Sequence, residues 1–399
     1  MVRIILLAYA VSPNRGTEVG GSWRIANRLA EDGHNVELLT SDRFRAEWEH
    51  EALPDGLTIT VIPRNIPGEF LTRNALGWYL RYFVFLRRSG RVAQLIHAAD
   101  PVDVAHHFSW GSLAWGTPLW RVGVPTLFGP VGGASVAPTS MRRYFSRTAR
   151  LLESARSAMT KALFFNQLSR KAVRHCDVLA SNSETAALLH RLFKADSRVM
   201  CESTTPQAVL NLLPLPFVDR HERQVIWVGR FIPRKCPELA LLVLGNLPNH
   251  RMVIVGDGPL RTQQELLAQR LGVVNRVTFT GALEWAETMD LVRRSEVMLF
   301  TSARDTFGSQ LLEAGGAGTP VVGIRHQGVA DFVPAEAGAL VTLDELPRMA
   351  EQMAAAIEAL SSESNRWADA SAAARTFAER MAVGCQAAAL TEVYEQMKG

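Results

Sequence analysis

The chain has 399 residues, 47% of them apolar and 21% charged, with a formal net charge of +4. Such a length is too great for one ordinary core and suits two domains. No apolar run reaches the ~18 residues a membrane-spanning helix needs, and Cys176, Cys201, Cys236 and Cys385 lie too far apart for a zinc knuckle or a disulfide framework, so a cytoplasmic, reducing setting is expected.

In chain order, "MVRIILLAYAVSP" reads as a first strand rather than a signal h-region, because its apolar run leads directly into the loop "NRGTEVGGSW". The pattern of "GGSWRIANRLAEDG" is helical, and "NVELLT", "DVAHHF" and "VPTLFGP" read as strands. Strands alternating with helices imply βαβ units and a parallel sheet covered on both faces. Between Met141 and Cys176 nine basic residues (Arg142, Arg143, Arg147, Arg150, Arg156, Lys161, Arg170, Lys171 and Arg174) stand against one acid, Glu153. This run, residues 141–176, suits peripheral contact with an anionic lipid surface on the inner face of the membrane, or a phosphorylated substrate, and equally a solvated helix face. Basic residues elsewhere are overwhelmingly Arg, with only five Lys in all, a bias that does not point to nucleic acid, and no nucleic-acid partner is expected.

The Pro-containing stretch "VLNLLPLPFVDRHER", residues 209–223, reads as a linker. Beyond it the alternation restarts. "QVIWVGRF", "HRMVIVGDGP", "RVTFTG", "EVMLFTS" and "PVVGI" are strands, and "CPELALLVLGNL", "RTQQELLAQRLGV", "AETMDLVRRS" and "SQLLEAGGAG" are helices. After residue 345 the chain is Ala-rich and helical. The fold class is therefore α/β, with two Rossmann-like doubly wound halves: residues 1–210, residues 211–375, and a C-terminal helix over 376–399 that packs back on the first.

Ligands of open parallel sheets bind beyond the carboxyl ends of the strands, where loops and helix N-termini present N–H groups. Gly20 and Gly21, after strand one, would let a ligand approach the backbone closely. Arg230 and Lys235, in "VGRFIPRK", suit a diphosphate. Gly256 and Gly258, in "VGDGP", form another strand-end turn but lack the third glycine of a dinucleotide fingerprint, which disfavours a nicotinamide-dependent oxidoreductase. In "RDTFGSQLLEAGGAGTPVV", residues 304–322, the loop from Asp305 leads into a helix starting near Ser309. Its N–H groups at Phe307, Gly308 and Ser309 suit phosphate or sugar oxygens, and Glu313, one turn in, suits a vicinal diol or a favourable place on the helix dipole.

The ordered motifs "VGRFIPRK", "VIVGDGP", "VTFTG" and "TSARDTFGSQLLEAGGAGTPVV" resemble those of the family 4 retaining glycosyltransferases of the GT-B fold. The resemblance covers nearly all of the second half and extends more loosely to the first; the "SPxxGxExGGxW" loop with "GPVGG" resembles a bacterial subgroup acting on surface glycans or specialised metabolites. It implies two Rossmann-like domains facing each other across a cleft, with a nucleotide-diphospho-sugar, a UDP- or GDP-sugar first, bound between them. It also implies transfer of a hexosyl group with retention, a glycan, lipid-linked or small-molecule acceptor, and neither cofactor nor metal. On that pattern Arg230 and Lys235 hold the diphosphate, Glu313 the ribose, and Asp305, helped by the Phe307–Gly308 backbone, the transferred sugar. No D-x-D occurs in the chain, in keeping with a metal-independent site.

Two departures stand out. The family's earlier acid is usually Glu, giving E-x7-E, whereas this chain has the shorter Asp305, with Arg304 beside it as a competing partner. Where many members carry H-x-H, this chain reads "HHF": His106 matches the first His, Phe108 takes the later place, and His107 is an extra candidate. Adjacent residues on a strand point opposite ways, so at most one His faces a site, and otherwise both are structural. Glu18 and His106 or His107 are the candidates to take the acceptor proton, and in retaining enzymes the departing phosphate itself is the alternative. Within the fold, the rival readings are a sugar-nucleotide epimerase and an inactive homologue that binds without transferring.

Overall fold

In a computed structural model, which describes residues 1–64, 75–133 and 135–399, the alternation resolves into two all-parallel sheets. The first contains β1 (Arg3–Ala8), β2 (Asn35–Ser41), β3 (Leu57–Ile62), β4 (Val104–Ser109), β5 (Thr126–Val131), β6 (Asp177–Ala180) and β7 (Arg198–Val199). Their spatial order is β3-β2-β1-β4-β5-β6-β7. The second contains β8 (His221–Val228), β9 (Arg251–Val255), β10 (Val277–Gly281), β11 (Ser295–Phe300), β12 (Val321–Ile324) and β13 (Gly338–Val341), in the order β10-β9-β8-β11-β12-β13. Each sheet thus runs outward one way from its first strand and then reverses, the topology of a doubly wound fold. Strands such as β4 and β11, with all six residues buried, are the continuous apolar-rich runs that a sheet covered on both faces requires. The strands β3, β6, β7 and β13 were not among those read from the sequence; β7 has only two residues, both exposed, too few to register as a pattern.

The chain divides into two compact units with more crossings than a single break near residue 210 would give. The first comprises residues 1–134, 159–204 and 383–399; the second comprises 135–158 and 205–382. Segment 135–158 belongs to the second unit because Ala137, Met141 and Phe145 are buried in the same core as Val225, Leu239 and Met252. The helix Val383–Lys398 belongs to the first because Ala387, Leu390 and Tyr394 share a core with Ile4, Ile25 and Val104. The 209–223 stretch is no free linker. The buried guanidinium of Arg220 donates to the carbonyls of Leu215 (3.1 Å), Ser295 (2.8 Å), Ala317 (3.1 Å) and Gly318 (2.9 Å) and to Thr319 Oγ1 (2.8 Å). Five bonds to one buried cation tie this stretch to the second unit.

Candidate active site

In the second unit the strand order turns between β8 and β11, which pair directly. The loops following these two strands are therefore neighbours, at the place where an open α/β sheet binds its ligand. They carry the residues singled out above. The β8 loop passes the exposed Arg230 and ends in a short turn, Pro233–Lys235, whose lysine is buried. The β11 loop brings Asp305 onto it. The Lys235 ammonium pairs with Asp305 Oδ2, Arg234 Nη1 reaches Oδ1 at 2.6 Å, and Ser302 Oγ donates to Oδ2 at 2.9 Å. The two loops are also joined through backbone: Ala303 N–H donates to the Arg234 carbonyl at 2.8 Å, and Arg234 Nη1 to the Arg304 carbonyl at 3.1 Å.

Burial penalises both charges of this cluster. It lowers the Lys235 ammonium below its ordinary range, although Asp305 opposes the shift. It also works against ionisation of Asp305, but Lys235 first and Arg234 second outweigh it and hold the carboxyl below the usual carboxylate range. Arg304 is not a competitor for Asp305: it turns away to Glu153, 2.9 Å from Nε.

Beyond Asp305 the chain turns sharply. Phe307 is fully buried, edge-on to Phe332 and Phe377, and anchors the turn. Gly308 has φ +109°, and a Cβ there would meet the Phe300 ring at 2.7 Å, so only glycine fits. Among the described residues, the N–H groups of Phe307, Gly308 and Ser309 have no hydrogen-bond acceptor. Next comes the helix Gln310–Gly316, with Glu313 in its first turn. One Glu313 oxygen accepts from the Trp285 indole at 3.1 Å. Gly256 and Gly258 serve loop packing: at φ +129°, a Cβ on Gly256 would lie 2.0 Å from the Gly229 carbonyl oxygen, and one on Gly258 would lie 2.8 Å from that of Phe231. These glycines let the β9 loop lie against the β8 loop that carries Arg230.

In the first unit the picture differs from the one read in the sequence. Gly20 and Gly21 lie inside the helix Thr17–Glu31, and the Gly20 N–H already bonds to the Gly16 carbonyl at 3.4 Å. A Cβ on Gly20 would lie 1.8 Å from the Arg15 carbonyl oxygen, so this glycine admits the preceding loop. His106 and His107, on β4, are both fully buried. His106 bridges Tyr394 Oη (2.6 Å) and the Gly129 carbonyl (2.7 Å), and burial lowers it to about 4. His107 stacks on Phe128, and burial, with His106 beside it, lowers it to about 3. The alternation of the strand sends the two rings to opposite faces, and both faces are covered. Their places are thus structural, and neither presents a catalytic ring. Glu18 lies in the first turn of the first helix, where burial raises its carboxyl to about 6.

Sequence reasoning did not find Arg234, Ser302, Gln327 and Trp285. Arg234 lies inside the quoted "VGRFIPRK", and Trp285 opens a helix after a strand; those were the available signals. Gln327, whose Oε1 accepts from the Asp305 N–H at 2.9 Å, left none, since it comes 22 residues later.

The family profile described as "Glycosyl transferases group 1" matches residues 217–377, and that described as "Glycosyl transferase 4-like domain" matches residues 21–200. The chain belongs to the group 1 glycosyltransferases. Its GT-B fold recurs in sucrose-phosphate synthase from Thermosynechococcus elongatus (TM-score 0.66, 19% identity, 100% of this chain and 99% of the other). It recurs also in Anabaena HepE, solved in complex with UDP and glucose (TM-score 0.60, 17% identity, 99% of this chain and 100% of the other). A D-inositol 3-phosphate glycosyltransferase of Corynebacterium efficiens is 26% identical over 85% of this glycosyltransferase and 83% of its own length. The sulfoquinovosyl transferase SQD2 of Arabidopsis thaliana is 36% identical, but only over 28% of this chain and 21% of its own. Among the described residues, this glycosyltransferase has no cluster of His, Cys, Asp or Glu that could hold a metal ion and no helix long and apolar enough to cross a membrane.

Proposed function

We propose that this glycosyltransferase transfers a hexosyl group, with retention of configuration, from a nucleotide-diphospho-sugar to a hydroxyl of a glycan, lipid-linked or specialised-metabolite acceptor. The observation that carries the reading is the second unit's strand-end cluster: Lys235 and Arg234 converge on Asp305, and the 307–309 turn holds unpaired N–H groups. Arg230 on the same β8 loop and Lys235 would take the diphosphate, and the turn's N–H groups its remaining oxygens. As the bond from the anomeric carbon to the diphosphate breaks, negative charge grows on the departing oxygen. Preorganised cations and N–H groups stabilise that charge without reorganisation, and removing one such donor typically costs ~10²–10³ in rate. Glu313, which accepts from the Trp285 indole, would accept from the ribose hydroxyls. UDP is held by the similarly folded HepE, which makes a UDP-sugar the first donor to try.

The test is a thermal-shift screen against UDP-, GDP-, ADP- and dTDP-sugars, followed by product analysis with the donor that binds. Release of nucleoside diphosphate that requires an acceptor, with the donor's anomeric configuration kept in the product by NMR, is the expected result. An isomerised sugar without transfer, or binding without turnover, overturns it.

The proposal includes peripheral contact with an anionic membrane through the helix Arg147–Ala162. Its solvent face is apolar: Leu151, Leu152 and Met159 are 70%, 72% and 68% exposed, with exposed Ala155 and Ala158 between them. Arg147 and Arg150 flank this stripe, the arrangement of a helix lying in a lipid interface. Cosedimentation with phosphatidylglycerol vesicles but not phosphatidylcholine vesicles, lost in a Leu151→Ser/Leu152→Ser double variant, is expected; failure to sediment with either overturns the membrane contact.

A further inference from the structure

Glu153 is the single acid of the basic 141–176 run, and the proposed catalytic chemistry gives it no part. It is nevertheless one of the few buried carboxylates of the protein, 6% exposed, on the inner face of a helix whose other face carries Leu151 and Leu152. One of its oxygens binds Arg304 Nε at 2.9 Å, and the other accepts from the Ala137 N–H at 3.2 Å. Segment 135–158 is itself closed by Arg142, which donates to the Ala137 carbonyl at 2.5 Å and to Ser157 Oγ at 2.9 Å. It is tied a second time to the donor loop through Gln327, whose Nε2 donates to the Val136 carbonyl at 3.3 Å while its Oε1 accepts from the Asp305 N–H.

Arg304 adjoins Asp305 in the chain, and Asp305 is already shared by Arg234 and Lys235. Two cations on one carboxylate leave the cluster with one net positive charge. A third cation there would leave two, and it would draw the carboxylate off Lys235. Asp and Arg also form the more favourable bidentate pairs, so an unrestrained Arg304 has a strong reason to turn inward.

We propose that Glu153 is a positioning residue of the donor site: by holding Arg304 outward it keeps Asp305 on Lys235 and Arg234 and so limits the charge offered to a diphosphate. The inference rests on the donor-site reading above. It also gives segment 135–158, which crosses to the second unit, a role beyond packing: it supplies the carboxylate that sets the electrostatics of a loop 151 residues further along.

The test is calorimetric binding of UDP and, independently of the base, of pyrophosphate. Glu153→Gln is expected to bind both about five- to tenfold more tightly, because one more positive charge about 4 Å from a phosphate oxygen is worth about that factor where water still screens the pair. Glu153→Gln/Arg304→Gln is expected to return to the wild-type affinity, and Arg304→Gln alone to stay within about twofold of it. A merely structural Glu153 would weaken binding when removed, never tighten it. Unchanged or weaker binding in Glu153→Gln overturns the proposal. Should that variant fail to fold, a loss of affinity in Arg304→Gln overturns it equally, because Arg304 would then itself be a ligand. Lys235→Met separates the two levels: if it binds both probes like the wild type, the donor-site reading fails, whereas weakened binding in Lys235→Met with no change in Glu153→Gln removes only the role of Glu153.

Discussion

Lys235→Met tests the site most directly, because it keeps the aliphatic stem and removes only the ammonium. The Lys235 side chain is 9% exposed, with Asp305 as its counterion and the Phe300 ring 5.4 Å from Nζ, so methionine fills its space. Breaking a buried pair by removing one partner costs ~3–5 kcal/mol when the remaining charge is left alone. Here Asp305 keeps Arg234 at 2.6 Å and Ser302 at 2.9 Å, so the cost should fall to about 1–3 kcal/mol. The pH dependence follows from the direction of the Asp305 shift. Its folded-state pKa lies below the unfolded value, so its contribution to stability is present above about pH 4 and is lost as pH falls through the folded value. Lys235 is the largest cause holding that carboxyl down, and without it burial acts less opposed. Denaturant unfolding of wild type and variant should therefore differ fully near pH 7, with the gap closing below about pH 4 as Asp305 protonates in both. Transfer should drop by ~10²–10³. A gap that widens on acidification would refute the electrostatic account, and wild-type turnover would refute the site.

Three further variants have expected outcomes. Glu18→Gln should remove an acidic limb near pH 6 from the pH profile of kcat/KM, since Glu18 must be ionised to accept a proton; persistence of the limb assigns the base elsewhere. Because burial raises this carboxyl, its ionisation opposes folding, and the wild type should lose on the order of 1–2 kcal/mol as pH rises from about 4 to 7, a loss absent from Glu18→Gln in parallel unfolding curves. Gly256→Ala should cost more than ~2 kcal/mol, measured by denaturant unfolding, since its φ is +129° and the new Cβ would press on the Gly229 carbonyl; a neutral effect would show that the β9 and β8 loops move apart freely. Trp285→Phe should weaken UDP binding several-fold by calorimetry, because Glu313 loses the indole N–H that orients it.

The fold was legible because parallel strands buried on both faces leave apolar runs, and a doubly wound domain repeats them at short intervals. What the sequence did not display was adjacency. Lys235 and Asp305 are 70 residues apart, and they meet only because β8 and β11 pair where the strand order turns. Each half of the pattern could be read as a strand-end loop, but the contact between the halves is a property of strand order. His106 and His107 illustrate the converse. Two histidines near a strand end suggest chemistry by residue type, yet strand β4 is central and covered on both faces, so the tertiary setting makes them core residues, one bridging Tyr394 and Gly129 and the other stacked on Phe128. The crossing of segment 135–158 was illegible for a similar reason: Ala137, Met141 and Phe145 look the same whichever core receives them.

The shorter acid at position 305 can be understood from its neighbours. Its carboxylate is held from opposite sides by Arg234 and Lys235, capped by Ser302, and its own N–H is taken by Gln327. One more methylene would push the carboxylate past this ring of donors or force the loop outward, and added bulk in a packed site typically costs ~1–3 kcal/mol. With Asp, the acid stays among the cations. On the proposed donor-site reading, an incoming diphosphate would compete with Asp305 for Lys235, and the strength of that competition would depend on how many cations the carboxylate holds. Arg304, restrained by Glu153, is the residue that could change that number, so the departure at 305 and the lone acid at 153 belong to one electrostatic arrangement.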